Sequence, residues 1–178
     1  VDSDPDHVAV SRLRFAHIPN VRVSLNDFLV PTSKRYDYII GNPPYVPITA
    51  LDVAERNSYR RGYATAKGRF DLYLLFFEQA LRLLKPGGRL VFITPEKFLY
   101  VGSAAPLRQL LRDSQVEELH FASEDTFGDL ITYPLISTVV HARPLAPTRV
   151  IHRTGRTTSV SLAPDASSWL PLIRGRSK

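Results

Sequence analysis

The chain has 178 residues, 44% hydrophobic and 22% charged, which suits one domain with its own core and excludes a polar disordered chain. It has no cysteine, which excludes disulfides and thiolate metal sites, and no apolar run near the roughly 18–20 residues of a membrane span. The formal charge of +6 is uneven: residues 1–140 carry sixteen Lys and Arg against sixteen Asp and Glu, residues 141–178 seven against one.

The sequence opens abruptly at Val1, with no methionine and no signal-peptide pattern. It therefore reads as a fragment or a processed chain, and the absence of cysteine fits a cytoplasmic protein, with no membrane partner expected. Residues 5–15 predict a helix with Pro5 in its first turn, where a missing N–H costs nothing. Residues 21–24 predict a short strand. Residues 36–40 predict a buried strand that runs through Gly41 into Asn42-Pro43-Pro44-Tyr45. A basic cluster follows: Arg56, Arg60, Arg61, Lys67 and Arg69, opposed by Glu55.

Between 71 and 84, Leu72, Leu75, Phe76, Ala80, Leu83 and Leu84 recur at helical spacing. Lys85-Pro86-Gly87-Gly88 is expected to end that helix, glycine supplying the positive φ. Residues 89–94 predict a central strand, 104–112 a helix, and 116–122 and 136–141 two further strands. Past residues 144–147, the runs 149–152 and 157–162 flank a turn at Thr154-Gly155-Arg156 and suggest a hairpin outside the main sheet. The alternation of strand and helix predicts the α/β class, an open doubly wound sheet with its ligand at the carboxyl ends of the strands. Asn42 and Pro95 both lie just past a strand end, so the chemistry is expected on that edge.

The tetrapeptide has a specific chemical competence. An exocyclic aromatic amine is a poor nucleophile because its lone pair is delocalised into the ring. Accepting hydrogen bonds from both of its N–H groups favours a more tetrahedral nitrogen and stabilises charge developing in the transition state. The Asn42 side-chain oxygen is one acceptor. The Pro43 carbonyl is a second, held rigidly by the paired prolines. Tyr45 offers a stacking face for a base drawn out of a duplex. The competing reading is a plain turn after a strand.

Three segments in this order resemble the gamma-class, TaqI-like adenine-N6 DNA methyltransferases of restriction–modification systems. They are Tyr36-Asp37-Tyr38-Ile39-Ile40-Gly41-Asn42-Pro43-Pro44-Tyr45, then Gly68-Arg69-Phe70-Asp71-Leu72-Tyr73, then residues 83–95. The resemblance covers roughly residues 1–142. It implies a Rossmann-like class I methyltransferase sheet, mostly parallel with an antiparallel C-terminal strand and lacking its first strand. It implies S-adenosylmethionine as cofactor, with Asp2 on the ribose, Asp27 on the adenine amine, and Ser3, Phe28 and Phe76 close to that adenine. It implies that Phe127 and Tyr45 sandwich the flipped base, and that the partner is double-stranded DNA, with Arg56, Arg60, Arg61, Lys67 and Arg69 on its phosphates. A cognate endonuclease activity, fused or encoded nearby, is a further expectation.

Residues 1–142 are thus expected to be a partial catalytic domain. Residues 143–178 are expected to be a basic linker or hairpin leading to a target-recognition domain. The family's Gly-rich turn ahead of the Asp2 segment is missing from this sequence. No metal is expected, since His7, His17, His120, His141 and His152 are scattered. Two other readings stay open. One is a methyltransferase acting on release-factor glutamine or RNA adenine, which also use Asn-Pro-Pro-Tyr. The other is a truncated, non-catalytic fragment.

Overall fold

A computed structural model of the protein describes residues 1–122, 133–163, 165 and 167–175. The chain divides into two compact units, residues 1–33 and 34–178.

The first unit is built on helix α1 (Pro5–Phe15). Asp4 caps it, its side chain accepting from the backbone N–H of Asp6 at 2.8 Å and of His7 at 3.1 Å. Pro5 and Asp6 in the first turn and Arg12 and Arg14 in the last follow the helix dipole. The strand expected over residues 21–24 does not form. What exists is a single parallel bridge between Asp2 and Leu25, made by Asp2 N–H to the Ser24 carbonyl (3.1 Å) and Asn26 N–H to the Asp2 carbonyl (2.9 Å). Asp4 caps the helix, so the pairing does not continue past residue 3.

The second unit carries strands β1 (Tyr36–Gly41), β2 (Leu84–Pro95), β3 (Gln115–Phe121), β4 (Pro134–Val140), β5 (Thr148–Ile151) and β6 (Thr157–Val160). Their order in one six-stranded sheet is β1-β2-β4-β3-β5-β6. The pairs β1–β2 and β3–β5 are parallel, and β2–β4, β3–β4 and β5–β6 are antiparallel. The class is α/β as expected, but the sheet is mixed rather than mostly parallel, since three of its five described strand pairs are antiparallel. The helices are α2 (Val53–Gly62), α3 (Leu72–Leu83), α4 (Ala105–Arg112) and the short α5 (Leu170–Arg174).

Strand alternation puts Leu90, Phe92 and Thr94 of β2 and Leu135, Ser137 and Val139 of β4 on one buried face. Phe77 of α3 meets Phe92 edge-on at 5.2 Å and Phe98 at 5.4 Å, which anchors the helix. Leu75, Ala80, Leu83 and Leu84 are buried as their spacing predicts, whereas Leu72 and Phe76 stay half-exposed.

Three further expectations are corrected. First, β1 is not buried: it ends the described sheet, and Tyr38 and Ile40 are 75% and 84% exposed. Second, Lys85-Pro86-Gly87-Gly88 does not end α3. The helix stops at Leu83, with Leu84 already extended (φ −74°, ψ 140°). The four residues instead form an irregularity inside the β1–β2 ladder, between the pairs Tyr36–Leu84 and Tyr38–Arg89. Gly87 has φ 77° there, and its N–H reaches the His141 carbonyl at 2.9 Å. Third, the C-terminal hairpin is not outside the sheet, because β5 joins β3. Its arginines are not merely a solvated basic tail: Arg149 pairs with Glu118 and Arg153 with Glu96.

Gly88 is where backbones come closest. A Cβ there would lie 2.9 Å from the Lys85 carbonyl oxygen, 3.0 Å from that of Tyr36 and 3.1 Å from that of Asp37. Backbone oxygens cannot swing aside as a side chain would. Gly88→Ala is therefore expected to lower stability by about 1–3 kcal/mol, read as a lowered midpoint in urea. An unchanged midpoint would show that the β1–β2 contact yields freely.

Candidate active site

The parallel β1–β2 pair delivers Asn42-Pro43-Pro44-Tyr45 to the carboxyl edge, since Gly41 pairs with Phe92 and the chain leaves the ladder immediately after. Asn42 is exposed and Pro43 buried. The Tyr45 hydroxyl lies 2.9 Å from Asn42 Oδ1 and 3.1 Å from the Ile93 carbonyl, and donates its single proton between these two acceptors. Partial burial pushes the Tyr45 phenol up from its ordinary value, so it remains a neutral donor.

Past the tetrapeptide the chain runs antiparallel to the second motif. Ile48 N–H donates to the Phe70 carbonyl (3.0 Å), Leu72 N–H donates to the Val46 carbonyl (2.8 Å), and Pro47 bridges Asp71. Two motifs 26 residues apart, counted from Tyr45 to Asp71, are thereby stitched into one structure. Asp71 holds the N-cap position of α3 without a side-chain cap bond, and its carboxylate pairs with Lys97 just past β2. The third motif enters through Ile93, and Lys97 lies two residues past its end.

Tyr73, the second residue of α3, stands edge-on to Tyr45 with centroids 6.2 Å apart and planes at 78°. It is 1% exposed, and its hydroxyl has no hydrogen-bond partner among the described residues. Burial pushes its phenol far up, reinforced by Asp71. Arg108 of α4 donates to the carbonyls of Phe98 (2.6 Å) and Val101 (2.9 Å), which fixes the turn after β2. Burial pulls its guanidinium down from the usual value, and Tyr73 opposes this.

The basic cluster lies on and after α2, with Arg60, Arg61, Lys67 and Arg69 exposed and Arg56 half-buried. Asp52 and Glu55 form a reciprocal capping box at its start, at 2.8 and 2.9 Å. Its far end is gripped by the polar face of α3. The buried Glu78 carboxylate accepts from Ala64 N–H (3.0 Å), Thr65 N–H (2.8 Å) and the Thr65 hydroxyl (2.8 Å), and pairs with Arg82. Arg82 also donates to the Gly62 carbonyl at 3.0 Å and lies 4.8 Å from the Tyr63 ring centroid.

In the first unit, the Asp2–Leu25 bridge brings residues 2–3 alongside 24–26. Asp2 Oδ1 accepts from Asp4 N–H at 2.9 Å, and Asp27 Oδ1 accepts from Leu29 N–H at 2.8 Å. Both aspartates shape their own turns, as short acidic side chains commonly do. Asp2, Ser3 and Asp27 are exposed and Phe28 is half-buried. Phe76 is half-exposed on α3, on a helix otherwise deep in the core. Phe127 lies outside the described residues. Among the described residues no group of His, Cys, Asp and Glu could hold a metal, and no helix is long and apolar enough to cross a membrane.

Sequence reasoning placed the tetrapeptide at a strand end but missed α2, Tyr73 as its neighbour, Glu78, and the Lys97 and Arg153 pairs. The Asp52-x-x-Glu55 spacing was a legible signal for α2. The ion pairs join residues 26 and 57 apart and leave no local signature.

Residues 2–127 match the family described as Eco57I restriction-modification methylase. The type II methyltransferase M.XhoI of Xanthomonas vasicola is 33% identical over 135 residues, 71% of this chain and 24% of its own length. Two solved structures share the fold. A modification subunit of a type I restriction enzyme from Vibrio vulnificus aligns with a TM-score of 0.68 at 15% identity, over 86% of this chain and 35% of that one. A class I S-adenosylmethionine-dependent methyltransferase from Listeria monocytogenes aligns with a TM-score of 0.57 at 18% identity, over 71% and 39%. The chain thus spans about a quarter of the M.XhoI length. Its α/β sheet with Asn42-Pro43-Pro44-Tyr45 at the carboxyl edge is the class I methyltransferase fold, and the chain belongs to the Eco57I restriction-modification methylase family.

Proposed function

We propose that the chain is the catalytic part of an S-adenosylmethionine-dependent methyltransferase that modifies the N6 amine of adenine in double-stranded DNA, within a restriction–modification system. The observation that carries this reading is the Asn42–Tyr45 arrangement: an exposed amide oxygen at a strand end, with a phenol ring fixed beside it. Asn42 Oδ1 and the Pro43 carbonyl accept the two amine protons. Tyr45 stacks on the base, and Phe127 is proposed as its opposite face. Target choice is assigned to sequence outside these 178 residues, and a cognate endonuclease activity remains the expected partner.

The residues available suit the cofactor's chemistry, taken unit by unit. Asp2 is exposed, and its carboxylate keeps acceptor capacity beyond the Asp4 N–H, enough for a vicinal diol. Asp27 likewise retains an oxygen for an adenine amine, with Ser3 and Phe28 as neighbours in sequence to one or the other. Phe76 presents part of an aromatic face. When bound, the cofactor supplies an electrophilic methyl group. The protein's part is to hold the amine, orient the base and keep the nitrogen uncharged until attack.

The test is transfer of labelled methyl from S-adenosylmethionine to unmethylated DNA, with nucleoside analysis, and release factor and RNA as control acceptors. N6-methyladenine in DNA is expected. Label confined to protein or RNA, or to no acceptor, overturns the reading.

The α2 cluster gives a second measurement. If Arg60 and Arg61 each neutralise a phosphate, the double change Arg60→Gln, Arg61→Gln lowers the slope of log K against log salt by about 1.8, at 0.9 per contact. An unchanged slope removes them from the DNA interface.

A further inference from the structure

The family match ends at residue 127, yet the sheet edge beside the tetrapeptide is held by a residue well past it. We propose that Arg153 is a positioning residue for the methyl-acceptor site, tying together the ends of β2, β3 and β4 where Tyr45 is anchored. The functional half of this proposal rests on the DNA-methylation reading above.

Arg153 sits in the turn between β5 and β6. Its guanidinium donates to Glu96 Oε2 at 2.7 Å, and Glu96 is only 7% exposed. Glu96 directly follows Pro95, the last residue of β2, and its N–H donates to the Tyr133 carbonyl (2.9 Å) at the entry to β4. The same guanidinium carbon lies 5.0 Å from the Tyr133 ring centroid and 5.5 Å from that of Phe121, the last residue of β3. His152 stacks on Phe121 at 6.2 Å with planes 10° apart, and its Nε2 is 2.9 Å from the Thr158 hydroxyl of β6. One planar cation thus meets three strand ends through one ion pair and two rings.

Three residues before Glu96, Ile93 offers the carbonyl that takes the Tyr45 hydroxyl. One residue after it, Lys97 pairs with Asp71, which bridges Pro47. The segment 93–97 is therefore clamped from both sides, by Arg153 and by Asp71, and the tetrapeptide's tyrosine rests on it. A nearly buried carboxylate requires a cation. Arginine suits this place better than lysine because its flat face meets aromatic rings while its N–H groups stay directed at an oxygen.

The test uses Arg153→Gln and Arg153→Lys. Amide hydrogen exchange is followed at Glu96 and Ala122, whose N–H groups bond across the strand ends, with Leu90 as a core reference. Arg153→Gln is expected to accelerate exchange at Glu96 and Ala122 by roughly tenfold or more while Leu90 stays near the wild-type rate, and Arg153→Lys to restore part of the protection. In methyl transfer to DNA, Arg153→Gln is expected to lower kcat roughly 10–100-fold, with the cofactor KM within about twofold of wild type. Equal acceleration at all three amides, no acceleration, or an unchanged kcat overturns the proposal. If the wild-type chain methylates no DNA, the functional reading fails, and the exchange pattern alone decides whether Arg153 holds the edge.

Discussion

Asn42→Ala is expected to lower kcat for DNA methylation by roughly 10²–10³-fold, the range seen when one preorganised transition-state hydrogen-bonding group is removed. The loss belongs in kcat because the acceptor gains strength only as the amine nitrogen becomes tetrahedral and takes on charge. Asn42 is exposed, so its removal leaves the core intact, and the urea midpoint is expected to shift by no more than about 0.5 kcal/mol in equivalent stability. Asn42→Asp keeps a side-chain acceptor and is expected to lose less. Steady-state kinetics on unmethylated DNA, beside urea denaturation of the same variants, separates the two effects. A loss in Asn42→Ala that appears only as raised KM would remove Asn42 from the transition state.

The largest stability effect is expected at Glu78, whose carboxylate is buried beside the end of α2. Its carboxylate is the common acceptor for two backbone N–H groups and a hydroxyl, and Thr65, which supplies two of these donors, is itself fully buried. Glu78→Ala leaves the two buried Thr65 donors with no partner, and each buried unsatisfied group costs about 1–3 kcal/mol. With the Arg82 pairing also lost, the total is expected to be about 3–5 kcal/mol. For a chain of this size that lowers the thermal midpoint by roughly 6–20 °C. Arg82→Ala is expected to cost much less, because Arg82 is 45% exposed and its partner keeps three other donors. Calorimetry of both variants tests the ranking; equal losses would make the ion pair, rather than the backbone donors, the source of stability. The same clamp holds the end of α2, so salt-dependent DNA binding is expected to weaken in Glu78→Ala even below its melting range.

Where the sequence was legible, the signals were local. Asp4, Pro5 and the 5–15 pattern set α1, whose bounds follow the expectation. The apolar period of 71–84 placed α3 within a residue at each end. The tetrapeptide was found on a strand end because β-branched and aromatic residues lead directly into it. The failures share a different cause. Lys-Pro-Gly-Gly reads as a helix stop, but β1 accepts the glycines as an irregularity in its own ladder, and only the paired strand makes that conformation useful. The runs 149–152 and 157–162 predict a hairpin, while its place in the sheet depends on β3 offering a parallel edge. Glu78 and Gln79 lie off the apolar face of α3, and they are buried because the chain returns over them after α2. The site residues visible in the sequence are those proposed to carry chemistry, and the hidden ones are those that hold the first group in place.

The shared proton of Tyr45 has a consequence for which ligands the edge admits. It has two resting places, Asn42 Oδ1 at 2.9 Å and the Ile93 carbonyl at 3.1 Å. When an amine approaches Asn42, the phenol can give its proton wholly to Ile93, and no polar group is stranded during the exchange. A ring bearing a carbonyl instead of an amine has no proton to offer. It would press oxygen against oxygen, and the tyrosine would gain nothing by letting go. On the proposed reading, the edge receives an amine with no polar group stranded and meets a keto group with oxygen against oxygen, so discrimination between the two is expected to begin before any methyl group moves.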